Sequence, residues 1–102
     1  MKVIHKRNMR LGDVYVGRPT RWGNPWTHKA EGTTLARFVV AARAEAIDNY
    51  RQWLLGTAHQ DVLPDQRRWI VEHLHSLRGR RLACWCAPKS CHAEVLAELA
   101  NA

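Results

Sequence analysis

RLACWCAPKSCHAEVLAELA, residues 81–100, contains the stretch that decides the fold. Residues 82–86 are apolar at every position, which is typical of a strand that is covered on both faces of its sheet. Residues 87–90 contain a proline and predict a turn. Ser90 is then placed to cap a helix over residues 91–99. The segment therefore predicts a strand over residues 80–86, buried at 82–86, that leads through a turn into a helix.

Two further strands and two further helices are predicted upstream. β-branched and aromatic residues indicate short strands at residues 2–6 and 13–17. One helix is predicted from residue 33 or 34 to about 55, and a second from 64 to 79, since Gly56 and Gly79 are placed to end them. Apolar residues recur at helical spacing in both helices: Leu35, Phe38, Val39, Ala42, Ala46, Tyr50, Trp53 and Leu54 in the first, and Ile70, Val71, Leu74 and Leu77 in the second.

The predicted element order is β-β-α-α-β-α, which indicates a small α/β domain with a short central sheet of about three strands and helices packed around it. The length of 102 residues fits a single domain over 1–102. We expect at least one parallel strand pair. The loops 18–32 and 87–90 would then both leave the carboxyl ends of strands, which is where open α/β sheets bind ligands.

Charge indicates the class of ligand. The net charge is +7, and a basic protein attracts polyanions, so nucleic acid and phosphorylated small molecules are natural partners. No apolar run approaches the roughly 20 residues of a membrane span, and the N-terminus lacks the apolar core of a signal peptide. With an odd cysteine count as well, these features predict a cytoplasmic protein that has no membrane partner and no disulfide framework.

The spacing C-x-C-x4-C-H places all three cysteines beside a histidine and leaves several interpretations open. A zinc site would find suitable ligands in Cys84, Cys86, Cys91 and His92. On an extended strand the two thiols of C-x-C lie about 7 Å apart at their Cα atoms, so the strand would have to bend for both to bind one ion. An iron–sulfur cluster is a weaker alternative. Cys91, at a helix N-terminus, and His92 are candidate catalytic groups. The cysteines are also candidates for simple core packing, with Trp85 in the core on the opposite face.

The turn before the last helix is a candidate anion site. A cap at Ser90 would leave the backbone N–H groups of residues 91–93 free, and Lys89 would add positive charge. A phosphate or a carboxylate would fit there.

The loop GRPTRWGNPW, residues 17–26, is the second candidate binding segment. Arg18 and Arg21 are suited to bidentate phosphate binding, and Trp22 and Trp26 to stacking on a base. Asn24 would either hydrogen-bond a base edge or hold the loop through its own backbone.

VYVGRPTRWGNPW and the downstream LACWCAPKSCHAEVLAELA resemble a family of small bacterial and phage domains catalogued as domain of unknown function, family 4326. Its pattern is G-R-x-x-x-x-G-N-P with an aromatic, then C-W-C-x-P-x-x-C-H. The matching residues here are Gly17, Arg18, Gly23, Asn24, Pro25, Trp26, Cys84, Trp85, Cys86, Pro88, Cys91 and His92. The resemblance spans nearly the whole chain and implies no mechanism.

Three functions are compatible with the sequence. The first is a domain that binds, or acts on, a nucleotide or another phosphorylated ligand at a site formed by the loop 18–26 and the turn 88–92. The second is a nucleic-acid-binding module with a structural Cys/His zinc site. The third is a non-catalytic phage or bacterial protein-interaction factor, for which tryptophan and arginine would be suitable interface anchors.

Overall fold

The computed structural model describes residues 3–28, 38–87 and 89–102. Its strands are β1 Val3–His5, β2 Val14–Tyr15, β3 Trp26–Thr27, β4 Phe38–Val39 and β5 Leu82–Cys84. Its α-helices are α1 Arg43–Leu55, α2 Pro64–His73 and α3 His92–Ala100, and the chain also forms 3-10 turns at Lys6–Asn8 and Leu74–Leu77.

The central sheet has three strands in the order β1-β5-β2, and both pairs are parallel. β5 lies in the middle and its three residues are all buried, as its apolar sequence predicts. The α/β class, the three-stranded sheet and the parallel pairing are therefore confirmed. The carboxyl ends of the strands lie at Tyr15 and Cys84, next to the two loops that the sequence analysis selected.

A second, two-stranded parallel sheet was not predicted. β3 pairs with β4, through hydrogen bonds from Phe38 N to Pro25 O (2.9 Å) and from Val40 N to Thr27 O (2.8 Å). The prediction of a helix through Phe38 and Val39 was therefore wrong, since both lie in a strand and are exposed. Residues 33–35, which include both predicted starts of that helix and Leu35, lie outside the described residues.

The remaining helix boundaries follow local signals in the sequence. α1 ends where Gly56 adopts the left-handed conformation (φ 81°), which glycine reaches without steric cost. α2 begins with Pro64 in its first turn and continues into the 3-10 turn Leu74–Leu77, short of Gly79. Val71 does not face inward as predicted, because its side chain is exposed.

The last helix begins one residue later than predicted. The residue at its N-cap is Cys91, in extended conformation, and Ser90 lies before the cap and is exposed. The prediction that Ser90 caps α3 was therefore wrong.

One hydrophobic cluster joins both sheets and the helices. Trp53, Tyr50 and Ile70, from α1 and α2, are its largest fully buried side chains, and Leu82 and Leu96 join them from β5 and α3. Among the described residues, no helix is long and apolar enough to cross a membrane.

Candidate functional site

A cavity of about 330 Å³ opens at the carboxyl edge of the central sheet. Five segments line it: the end of β2 with the loop after it, β3 with His28, the first turns of α1, the end of β5 with the residues after it, and the start of α3. The lining residues with titratable side chains, together with the exposed Trp85, are Tyr15, Arg18, His28, Arg43, Cys84, Cys86, Cys91 and His92. None of the described residues that line it is acidic.

Arg18 is held in place by its own loop. Its Nε and Nη2 atoms donate to the carbonyl oxygens of Asn24 and Trp26, each at 3.1 Å, while Tyr15 Oη donates to its carbonyl oxygen at 2.7 Å. Burial lowers the pKa of Arg18 from its ordinary value of 12.5. The Nη1 amino group makes no hydrogen bond to a described residue, although the guanidinium interacts electrostatically with the thiol of Cys86. A ligand in the cavity would therefore meet a positioned guanidinium.

Asn24 holds the loop. Its Nδ2 donates to the carbonyl oxygen of Ala46 in α1 at 3.0 Å, and its Oδ1 accepts from the backbone N–H of Trp26 at 2.9 Å. The side chain is buried. Of the two roles that the sequence allowed, the structure favours the second, in which Asn24 shapes the loop.

The predicted stacking tryptophans and Arg21 are occupied elsewhere. Trp22 is buried and its ring packs edge-on against Trp69, with 4.9 Å between ring centroids. Trp26 is buried against Trp53 and only lines the cavity wall. Arg21 does not line the cavity, and its guanidinium lies over the ring of Trp69 at 5.3 Å.

Trp85 is the exposed aromatic residue at the cavity. Its side chain is 61% exposed, so the prediction of core packing was wrong. The ring makes an edge contact with His5, and Lys6 Nζ lies 5.4 Å from its centroid. The predicted strand extends through Cys86, so the pattern did not identify Trp85 as a site residue; in the structure β5 ends at Cys84, and Trp85 is the first residue past its carboxyl end.

Arg43 is a second residue that the sequence analysis missed, because the predicted helix placed it in a helix interior. In the structure it is the first residue of α1 and lines the cavity. Its Nη1 donates to the carbonyl oxygen of Ser90 at 3.3 Å, and its guanidinium interacts with the thiol of Cys86.

The three cysteine side chains converge. Cys84 and Cys91 are buried, with 2.8 Å between their sulfur atoms, and Cys86 is half-buried and hydrogen-bonded to both. The contacts from Cys84, Cys91 and Arg43 lower the pKa of Cys86 strongly. The contacts with the other two thiols, together with burial, raise the pKa of Cys91 well above 9.0. Cys86 is therefore the cysteine that carries thiolate character, rather than Cys91, which was the predicted catalytic thiol.

The predicted zinc ligands do not form a ligand set as they stand. Two thiolates at about 2.3 Å from one tetrahedral ion lie about 3.7 Å apart, farther than the 2.8 Å between Cys84 and Cys91. Among the described residues, no three His, Cys, Asp or Glu side chains are arranged around a common metal position. A zinc site on these residues stays a prediction that requires the side chains to move.

His92 is fixed by a backbone contact. Its Nε2 lies 2.7 Å from the carbonyl oxygen of Val16. A carbonyl oxygen only accepts, so Nε2 carries the proton and Nδ1 keeps its lone pair. Burial lowers the pKa of His92 below 6.5, partly opposed by this hydrogen bond. The ring is therefore neutral at pH 7.

Only part of the turn that was predicted to bind an anion reaches the cavity. Ser90 and Cys91 line it, whereas Lys89 is exposed and does not. Pro88 lies outside the described residues. The first turns of α1 and α3 both reach the cavity, through Arg43 and His92.

Comparison with known proteins identifies the family. Residues 2–102 match the family model described as Domain of unknown function (DUF4326), and the chain belongs to that family. It is 30% identical over 89 residues to an uncharacterized 12.4 kDa protein in the nrdA-td intergenic region of Enterobacteria phage T4; the match covers 87% of this chain and 68% of the phage protein. No solved structure matches this chain.

Proposed function

We propose that this protein binds a nucleotide, or a ligand with the same phosphate chemistry, in the cavity at the carboxyl edge of the central sheet. The observation that carries the proposal is the lining of that cavity. Arg18 and Arg43 supply two guanidinium groups, no described residue of the lining supplies a carboxylate, and the single thiolate of Cys86 offsets only one of the two positive charges. Guanidinium groups bind phosphate through paired, charge-assisted hydrogen bonds.

Two helix N-termini add to the positive potential. α1 starts at Arg43 and α3 at His92, and both residues line the cavity. Helix N-termini present unpaired backbone N–H groups and the positive end of the helix dipole. The phosphate of a ligand would be stabilised by these groups together with the two arginines.

Trp85 supplies an apolar face for the base. The indole is exposed at the rim of the cavity, so a planar ring can stack on it without displacing a core side chain. A volume of about 330 Å³ is near the lower end of the range for ligand pockets. This size favours a mononucleotide over a dinucleotide cofactor.

Cys86 and His92 are two groups at the cavity that could act on a bound ligand. The thiol of Cys86 is half-buried and activated by its contacts, and the neutral ring of His92 keeps a basic Nδ1. A thiolate and a neutral imidazole are a nucleophile and a general base, respectively.

Calorimetry and thermal melting with the four nucleoside monophosphates and their parent nucleosides test the proposal. We expect at least one monophosphate to bind and to raise the melting temperature, with the parent nucleoside binding more weakly. Arg43→Gln should weaken monophosphate binding about ten- to a hundredfold, the value of one or two charge-assisted hydrogen bonds. Trp85→Ala should weaken it about five- to a hundredfold.

Two exposed residues outside the cavity provide matched controls. Arg68→Gln removes the same charge from α2, and Leu11→Ala removes an exposed apolar side chain. Both control variants should bind as the wild type does. If no monophosphate binds, or if Arg43→Gln and Arg68→Gln have equal effects, the proposed function is wrong.

A further inference from the structure

A second depression in the surface, a groove of about 590 Å³, lies beside the cavity. It follows β1 and the 3-10 turn after it, and Arg81 and Ala87 form its other wall. Its polar lining residues are His5, Arg7, Asn8, Arg10 and Arg81. No described residue that lines it is acidic.

Two arginines of the groove, Arg7 and Arg10, form no direct ion pair with a described residue. Arg81 forms an ion pair with Asp13, at 3.1 Å, and the backbone N–H of Arg10 also donates to Asp13 at 2.8 Å, so that carboxylate is neutralised within the protein. The side chains of Arg7 and Arg10 are exposed and form no ion pair with any described residue, and the charge of Arg10 acts on Asp13 only at longer range, where it helps to lower the pKa of that carboxyl. The groove therefore offers an anionic partner two exposed guanidinium groups that are not held in a direct ion pair with a described residue.

The groove and the cavity meet at Trp85. His5 lines the groove and its ring contacts the Trp85 ring, with 5.5 Å between centroids, while Trp85 lines the cavity. Lys6 Nζ lies over both Trp85 and Tyr15, at 5.4 and 5.3 Å from the ring centroids. A cation and an aromatic face thus connect the two depressions.

We infer that the ligand of the cavity is one nucleotide of a single-stranded polynucleotide, whose neighbouring phosphates lie in the groove of Arg7 and Arg10. This inference rests on the proposed function, and it names the substrate class of the same site. A positively charged groove joined to an exposed aromatic side chain is the arrangement by which proteins bind single strands. A base in a duplex is stacked and paired, and would have to be extruded to reach the cavity.

The test compares a mononucleotide with an oligonucleotide of the same base. The probes are the nucleoside monophosphate that binds best in the screen above, measured by calorimetry, and a short fluorescein-labelled homo-oligonucleotide of that base, measured by fluorescence anisotropy. The wild type should bind the oligonucleotide more tightly than the monophosphate. It should also bind that single strand more tightly than a duplex of the same length.

The double variant Arg7→Gln/Arg10→Gln separates the groove from the cavity. It should leave monophosphate binding unchanged and weaken oligonucleotide binding. The slope of log affinity against log salt should become shallower by about 1.4, since each phosphate contact to a single strand contributes about 0.7. Arg10→Gln alone should change the slope by about 0.7, whereas its matched control Arg68→Gln should not change it.

The outcomes distinguish this inference from the proposed function. If the monophosphate binds but the double variant binds the oligonucleotide with wild-type affinity and slope, the groove inference is overturned and the proposed function stands. If no monophosphate binds while the oligonucleotide does, both are overturned, because the cavity then holds no nucleotide. The proposed function and the groove inference would both be supported if Arg43→Gln weakened the binding of the monophosphate and of the oligonucleotide equally, while the double variant weakened only oligonucleotide binding.

Discussion

The Nε2 atom of His92 lies 2.7 Å from the carbonyl oxygen of Val16, and this hydrogen bond joins the first turn of α3 to the residue that follows β2. It fixes the position of the helix start relative to the loop that carries Arg18. The same contact determines the tautomer, because Nε2 must donate. One hydrogen bond therefore sets both the shape of the cavity and the chemistry of its imidazole.

The stability of the protein should depend on pH through His92. Burial lowers the pKa of this histidine in the folded state, whereas the unfolded chain takes up the proton near pH 6.5. The contribution of His92 to stability is therefore complete above about pH 6.5 and is lost as the pH falls through the folded pKa. We expect urea unfolding to show a larger loss of stability between about pH 7.5 and pH 5 in the wild type than in His92→Gln.

His92→Gln and His92→Ala form a matched pair at this position. Glutamine keeps a side-chain N–H donor and does not titrate, whereas alanine removes the donor and should cost about 1 kcal/mol more in the free energy of unfolding at pH 7.5. Both variants should fold in the presence of a chelator. If His92 were a ligand of a structural zinc ion, both would instead lose the folded state, as the wild type would with chelator.

Asn24→Ala should destabilise the protein by about 1–3 kcal/mol, because it leaves the buried backbone N–H of Trp26 without its acceptor and removes the contact to Ala46. Asn8→Ala, at an exposed asparagine, is the control and should change the free energy of unfolding by less than about 0.5 kcal/mol. Urea unfolding of both variants measures the difference. Equal stability of the two would contradict the structural role of Asn24.

The sequence predicted those parts of the fold that depend on residues close together in the chain. Apolar residues on both faces predict the buried β5, and Gly56 and Pro64 mark helix boundaries because of their own backbone preferences. The β3–β4 pair instead depends on contacts between residues that are distant in sequence. Phe38 and Val39 fit a helical period, and their strand exists because Phe38 N reaches the carbonyl oxygen of Pro25.

The same distinction holds for the candidate site. Arg18, Cys91 and His92 were recognised because their motifs are unusual and lie next to predicted strand ends. Arg43 was missed, because its position at the cavity depends on the true start of α1 and on contacts with Ser90, 47 residues away in sequence. Local periodicity carries no information about contacts over that separation.

Gly17→Ala should disturb the loop by displacing Tyr15. A Cβ atom at Gly17 would lie 2.6 Å from Cζ of the Tyr15 ring, so the ring would have to leave its hydrogen bond to the carbonyl oxygen of Arg18. We expect a loss of about 1–3 kcal/mol in the free energy of unfolding and weaker monophosphate binding. Tyr15→Phe removes only the hydroxyl group and should cost about 0.5–1.5 kcal/mol. Wild-type stability of Gly17→Ala would show that the ring is not held as described.

The thiol chemistry of the cavity depends on which sulfur carries the negative charge. Cys86 is half-buried, lines the cavity and interacts with Arg43, and its contacts lower its pKa. Cys91 is buried beside Cys84, and its contacts raise its pKa. Because the thiolate is the reactive form, Cys86 should be the most reactive of the three cysteines.

Limited alkylation with iodoacetamide, followed by peptide mass spectrometry, should therefore modify Cys86 first. Its rate should fall less between about pH 8.5 and pH 6.5 than that of an ordinary thiol, which falls about fiftyfold over this range. Cys86→Ser should abolish the fast reaction, and the matched variant Cys91→Ser should retain a reactive Cys86. Arg43→Gln should make the Cys86 rate more dependent on pH, because it removes one of the contacts that lower the pKa. Fast modification of Cys91 would contradict this assignment. Protection of all three thiols would also contradict it, and if a chelator removed that protection, the result would establish the metal site instead.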